Sequence, residues 1–165
     1  MKTLFKITER LLGEVKAQLV RPHAFASERV GFLLCRVGLL EDDGLIVLSH
    51  SLHDVADEDY IDDSTVGAMM GPDAIRKALQ TSYSQQASMF HVHLHLHKGR
   101  PRFSRVDEEE TAKFVPDFWN VQPDLPHGAI IFSEDSACGK CWIPGQEAPV
   151  EISQFAVVGV PMRKV

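Results

Sequence analysis

Residues 87–97 read ASMFHVHLHLH, and the strict alternation of histidine with apolar residues from His91 to His97 marks an extended strand. Successive side chains of a strand point to opposite faces. His91, His93, His95 and His97 are therefore expected to project from one face, with Val92, Leu94 and Leu96 packed behind them. Same-face neighbours sit roughly 7 Å apart, so two imidazoles of an HxH pair can each reach one cation at ~2.0–2.1 Å. A terminal purification tract would lack the interleaved apolar residues, whereas this run lies mid-chain and holds half of the eight histidines. Imidazole and carboxylate donors without a redox partner favour zinc, one ion per chain, although iron, nickel and manganese accept the same donors.

Working outward, KGRPRF (98–103) reads as a turn-forming loop and Ser104 to Phe114 as a helix. Ser104 followed by Asp107 has the spacing of a capping box with Asp in place of Glu. A catalytic zinc takes three protein ligands and keeps a fourth position open. Asp107, one loop beyond the histidines and in a first helical turn that tolerates a negative charge, is the natural third ligand. On the other side, ERVGFLLCRV (28–37) reads as an apolar strand beginning at Glu28. A charge there needs a task or a partner, which makes Glu28 the candidate general base.

The remaining segments complete the frame. Leu4, Ile7, Leu11, Leu12, Val15 and Leu19 recur at helical spacing and predict an amphipathic helix closed before Pro22. Glu41-Asp42-Asp43-Gly44 separates the 28–37 strand from Leu45–Leu48 as a hairpin turn. The acidic stretch Asp54 to Asp63 reads as a solvated loop. Gly71-Pro72 opens a helix with Ile75, Ala78 and Leu79 on one face. Residues 122–127 form a loop, and Gly128–Phe132 and Phe155–Val160 are late buried strands. The order implies an α/β (α+β) fold with a central mixed sheet flanked by helices, one domain over residues 1–165.

Bulk properties narrow the function. A chain of 165 residues with 44% hydrophobic and 24% charged residues suits one core. A net charge of −6, without a basic stripe interleaved with aromatics, argues against nucleic acid. No apolar run reaches the ~20 residues of a membrane span, and no leader pattern opens the chain, so the expected location is cytoplasmic. Cys35, Cys138 and Cys141 do not form a secreted disulfide framework. The lone Cys138-x-x-Cys141 reads as loop thiols, since a structural zinc would need two further ligands. Phe114, Phe118 and Trp119 read as core, with a partner-facing surface as the alternative.

The stretches Glu28-Arg29-Val30-Gly31-Phe32-Leu33-Leu34, the alternating histidines and Ser104-Arg105-Val106-Asp107 together resemble the JAMM (JAB/MPN) metallopeptidase family, over about half the chain. The resemblance implies an MPN/JAB-like fold and a zinc-dependent peptidase or isopeptidase acting after the C-terminus of a ubiquitin-like protein. It makes Glu28 the acid/base, two histidines and Asp107 the ligands, and Ser104 a donor to the oxyanion. His93 and His95 are the chosen pair, because a loop lengthened by one residue can be absorbed at Lys98-Gly99-Arg100-Pro101. Pairs that include His91 or His97 are the alternative registers. It further implies ubiquitin-like conjugates as substrates and E1- or E2-like enzymes as pathway partners, including bacterial antiphage conjugation systems. The competing readings are a noncatalytic scaffold of the same fold and another zinc hydrolase. A deaminase-like site would need a PCxxC helix opening, and Cys138 has no preceding proline.

Overall fold

The computed structural model describes residues 1–41 and 43–165. The first residues correct the helical reading. Thr3, Phe5 and Ile7 are buried with Leu4 and Lys6 less so, a period of two, and Thr3–Thr8 is strand β1. The helix, α1, spans Glu9–Leu19, with the Thr8 side chain accepting from the Leu11 N–H as its cap. Leu4 and Ile7 stand three apart, a helical spacing, but on the strand they point to opposite faces and only Ile7 joins the buried set.

Strands β2 (Val30–Leu39) and β3 (Leu45–Asp54) form the expected antiparallel pair. At its tip the Leu40 N–H donates to the Gly44 carbonyl and Asp43 has φ of 52°, while Asp42 of the turn tetrad lies outside the described residues. Then come α2 (Pro72–Gln85), β4 (Ser88–Leu94), α3 (Arg105–Phe114), β5 (His127–Phe132), β6 (Ala137–Trp142), β7 (Val150–Glu151), β8 (Gln154–Val158) and β9 (Arg163–Lys164). The nine strands of the described residues join one mixed sheet in the order β7-β6-β5-β4-β2-β3-β1-β8-β9. β4 lies antiparallel to β2 and parallel to β5 near the middle.

The two sheet faces are covered differently. On one, Leu11, Val15 and Leu19 of α1 pack on Phe5, Leu33, Phe90, Val92 and Ile130. On the other, Ala74 and Ala78 of α2, with Phe118, cover Phe32, Leu34 and Met89. Alternation along β4 thus sends Phe90, Val92 and Leu94 toward α1, and Met89, His91 and His93 toward the opposite layer. Leu96 departs from expectation: it lies beyond the strand and is 73% exposed rather than packed behind the histidines.

Two other readings are corrected. Cys138 and Cys141 lie on β6, not in a loop, and their odd spacing sends them to opposite faces, so they cannot share one metal. Burial pushes their thiols up to about 11 and about 12. The acidic 54–63 stretch is not simply solvated. Asp59 is buried and pairs with Lys77, and Asp57 receives the guanidinium of Arg29 at 2.7 Å. Arg29 is itself 3% exposed and also donates to the carbonyls of Arg21 and Pro22. This side chain fastens the α1–β2 connection, which carries Glu28. Arg29→Ala strands two carbonyls and is expected to lower unfolding free energy by about 2–4 kcal/mol in urea titration. A loss under about 0.5 kcal/mol would mean that water replaces all three bonds.

Candidate metal centre

The four histidines form a row. Successive ring centroids, from His91 to His97, are 5.8, 5.0 and 5.8 Å apart. The middle pair is closest, with His93 Nε2 and His95 Nε2 at 3.1 Å. His93 comes from the last turn of the pleat in β4, and His95 continues its line just past the strand, its N–H donating to the Phe132 carbonyl. The chain then tightens. The His97 N–H bonds the His95 carbonyl, His97 Nδ1 meets the Lys98 carbonyl at 2.8 Å, and the His97 ring is turned out to solvent. Gly99, at φ of 88°, reverses the chain. Its N–H donates to Asp135 and its carbonyl accepts from Ser133, which pins the loop to the β5–β6 turn.

That loop delivers α3 with its first turn facing the histidines. The capping box is present in both directions: Ser104 Oγ accepts from the Asp107 N–H at 3.1 Å, and Asp107 Oδ2 accepts from the Ser104 N–H at 2.7 Å. The cap consumes one carboxylate oxygen and leaves the other, Oδ1, 3.7 Å from His93 Nε2. One donor atom each from His93, His95 and Asp107 falls within 4.8 Å of the others. Two donors ~2.1 Å from a tetrahedral zinc stand about 3.4 Å apart, close to the separations found. The donor set fits zinc: two facing imidazole nitrogens at 3.1 Å cannot both carry protons. Burial also holds His93 well below the ordinary histidine value, against the pull of Asp107 and with a push from His95. Neutral imidazole is the ligating form.

Glu28 comes from β2's side. It lies in the bend before Val30 rather than inside the strand, which corrects the sequence reading. The β2–β4 register pairs Val30 with His93. Glu28 and His95 each lie two residues beyond that terminal pair, and both line the same cavity. Burial raises the Glu28 pKa, His95 opposes this and Asp107 adds to it. Glu28, His91, His93, His95, Ser104 and Asp107 all line one cavity of about 430 Å³, whose apolar wall includes Val30, Met70, Ile75 and Phe114. A second cavity, of about 540 Å³, meets the centre from the α1 side and shares Glu28 and His95 with it.

His91 stands apart from the donor set. It is 7% exposed and packs edge-on against Phe32 and Phe114, and its Nδ1 has no partner among the described residues. Burial drives its pKa down to about 3. Phe118 and Trp119 serve the core: Phe118 stacks on His127, and the Trp119 indole N–H donates to the Leu125 carbonyl.

His127, which sequence reading left in a loop, is fully buried at the start of β5. Its Nδ1 accepts from the Met89 N–H and its Nε2 reaches the Gln122 carbonyl. Burial lowers its pKa to about 4. The folded value lies below the unfolded one, so between about pH 6.5 and 4 the unfolded chain binds the extra proton and stability falls as pH falls. Urea midpoints are expected to drop over that interval in wild type and to drop less in His127→Gln. Parallel pH curves for the two proteins would remove His127 from the acid sensitivity.

No helix of the described residues is long and apolar enough to cross a membrane. No family model and no curated protein matches the chain. Among solved structures, the STIL N-terminal domain of Trichoplax adhaerens is similar, with 12% identity and a TM-score of 0.50. The match covers 94% of this chain and 46% of that one, so this chain spans less than half of that structure. At such identity the likeness is one of fold alone: a mixed α+β architecture on a curled nine-stranded sheet.

Proposed function

We propose that this chain is a zinc-dependent amide hydrolase of the JAMM type with an MPN/JAB-like fold, acting on the bond that follows the C-terminal tail of a ubiquitin-like protein. The observation that carries the reading is the convergence of one donor atom each from His93, His95 and Asp107 within 4.8 Å, in a cavity that Glu28 also lines. The order of Glu28, the histidine pair, Ser104 and Asp107 along the chain follows the family pattern, with one residue more in the loop between His95 and Ser104.

His93, His95 and Asp107 would hold the ion. When bound, zinc supplies Lewis acidity, which brings the pKa of a water toward neutrality and polarises a carbonyl. Glu28, with its affinity for protons raised by burial, takes the proton of the attacking water and returns it to the departing amine. Ser104 Oγ uses a lone pair in the helix cap, and its proton is left to donate to the oxygen that becomes negative at the carbonyl. The apolar wall of the 430 Å³ cavity, with Val30, Met70, Ile75 and Phe114, would shield the acyl half of the substrate from water.

Ubiquitin-like conjugates are the proposed substrates, with E1- and E2-like enzymes of one conjugation pathway as neighbours in a cytoplasmic setting, antiphage defence included. The unpaired thiols Cys35, Cys138 and Cys141 support a reducing compartment. The test measures zinc per chain by elemental analysis and cleavage of ubiquitin-like fusions by the purified protein. Near one zinc and chelator-sensitive cleavage are expected. One zinc with no cleavage of any such fusion would favour a noncatalytic module.

A further inference from the structure

Gly67 lies between the acidic stretch and α2 and reaches the residues that precede β2. Its carbonyl accepts from the Ser27 N–H at 2.9 Å, the Glu28 N–H at 3.0 Å and the Ser27 hydroxyl at 3.2 Å. Its φ is not among the left-handed ones, so its backbone does not demand glycine. Its neighbour does. A Cβ on Gly67 would stand 2.6 Å from Glu28 Oε2, 2.7 Å from Cδ and 3.1 Å from Cγ, and these are the nearest atoms it would meet. The Glu28 carboxylate occupies the space a side chain would take. No described hydrogen bond holds that carboxylate, so its place over the donor set depends on this contact and on the backbone bonds beneath it.

We propose that Gly67 is a positioning residue for the general base: its bare Cα forms the slot that keeps the Glu28 carboxylate beside His95 and Asp107. The proposal rests on the reading of Glu28 as the base. It also ties the placement of the base to the 63–70 segment that walls the same cavity, because that segment contributes Thr65, Val66, Gly67 and Met70 to it. An added methyl forces the carboxylate out of the slot. The Glu28 tip is flexible, so the methyl is accommodated by moving that tip rather than the backbone.

The experiment compares wild type, Gly67→Ala, Glu28→Gln and the double variant, using ubiquitin carrying a fluorogenic C-terminal amide as probe. Gly67→Ala is expected to keep one zinc per chain and to lose about 100-fold in kcat with little change in KM, as a misplacement near 1 Å can produce. In the Glu28→Gln background the same change is expected to cost less than about threefold, because both act through one group. Wild-type kcat in Gly67→Ala overturns the proposal, and so does a full second loss in the double variant. If wild type leaves the probe intact, the hydrolase reading fails for that substrate, and crystal structures of wild type and Gly67→Ala then decide the proposal. A carboxylate displaced by about 1 Å or more supports it, and an unmoved one overturns it. Should Gly67→Ala not fold, pairing it with Glu28→Asp, one methylene shorter, is expected to restore folding; failure of that rescue also overturns the proposal.

Discussion

Glu28→Gln is expected to retain its zinc and to lose amide hydrolysis by about 10²–10⁴-fold in kcat, the usual contribution of a placed general base. The substitution preserves length and shape, so the fit against Gly67 and the backbone bonds of Glu28 survive. What it removes is the capacity to accept a proton. Burial is the main cause that raises the Glu28 pKa, and Asp107 adds to it while His95 acts against it. The acid limb of kcat/KM is therefore expected above the ordinary glutamate range, with activity rising as Glu28 loses its proton. In Glu28→Gln that limb disappears along with the rate. Equal turnover by the two proteins would remove Glu28 from the chemistry and leave the centre as a binding site.

The strand of histidines was legible because seven consecutive residues, His91 to His97, alternate imidazole with apolar side chains, and the capping box because Ser104 and Asp107 state it locally. The long apolar strands and α2 followed from the same kind of signal. Three things were not legible, each for a physical reason. Thr3–Thr8 was absorbed into the helix because Leu4, Ile7 and Leu11 continue the helical spacing of α1 while the buried strand face is Thr3, Phe5 and Ile7; the Thr8-Glu9 pair was the available sign of a cap. Strand β6 was hidden because ACGKCW carries small and polar residues, and it is made a strand by pairing with β5 rather than by propensity. The wall of the centre was hidden most completely. Gly67 and Arg29 act across 40 and 28 residues of chain on Ser27 and Asp57, and no local spacing encodes such contacts. Register within the histidine row was left open because four equivalent residues offer three pairs. The fold separates them by ending the strand at Leu94 and turning the chain at His97.

That separation gives the second large effect. His93→Ala, His95→Ala and Asp107→Ala are each expected to weaken zinc binding by more than about 100-fold, since partners one shell further out are already worth about 10–100-fold. His97→Ala is expected to leave affinity unchanged, because its ring is exposed and its Nδ1 faces the Lys98 carbonyl. His91→Leu is expected to keep one zinc and a melting temperature no lower than wild type: it replaces a buried ring whose Nδ1 lacks a partner by an apolar side chain among Phe32 and Phe114. Asp107 needs a finer comparison because its two oxygens do different things. Asp107→Asn can still accept from the Ser104 N–H, so α3 keeps its cap while the charge facing His93 is lost. Ser104→Ala removes half of the cap, about 1 kcal/mol, with the carboxylate still in place. Zinc titration is expected to separate the two, with affinity falling steeply in Asp107→Asn and slightly in Ser104→Ala, while thermal melting of the zinc-free proteins ranks them in the opposite order. Uniform small losses across His91, His93, His95 and His97 would instead describe a diffuse histidine tract, and the convergence on Asp107 would then have no part in holding a metal.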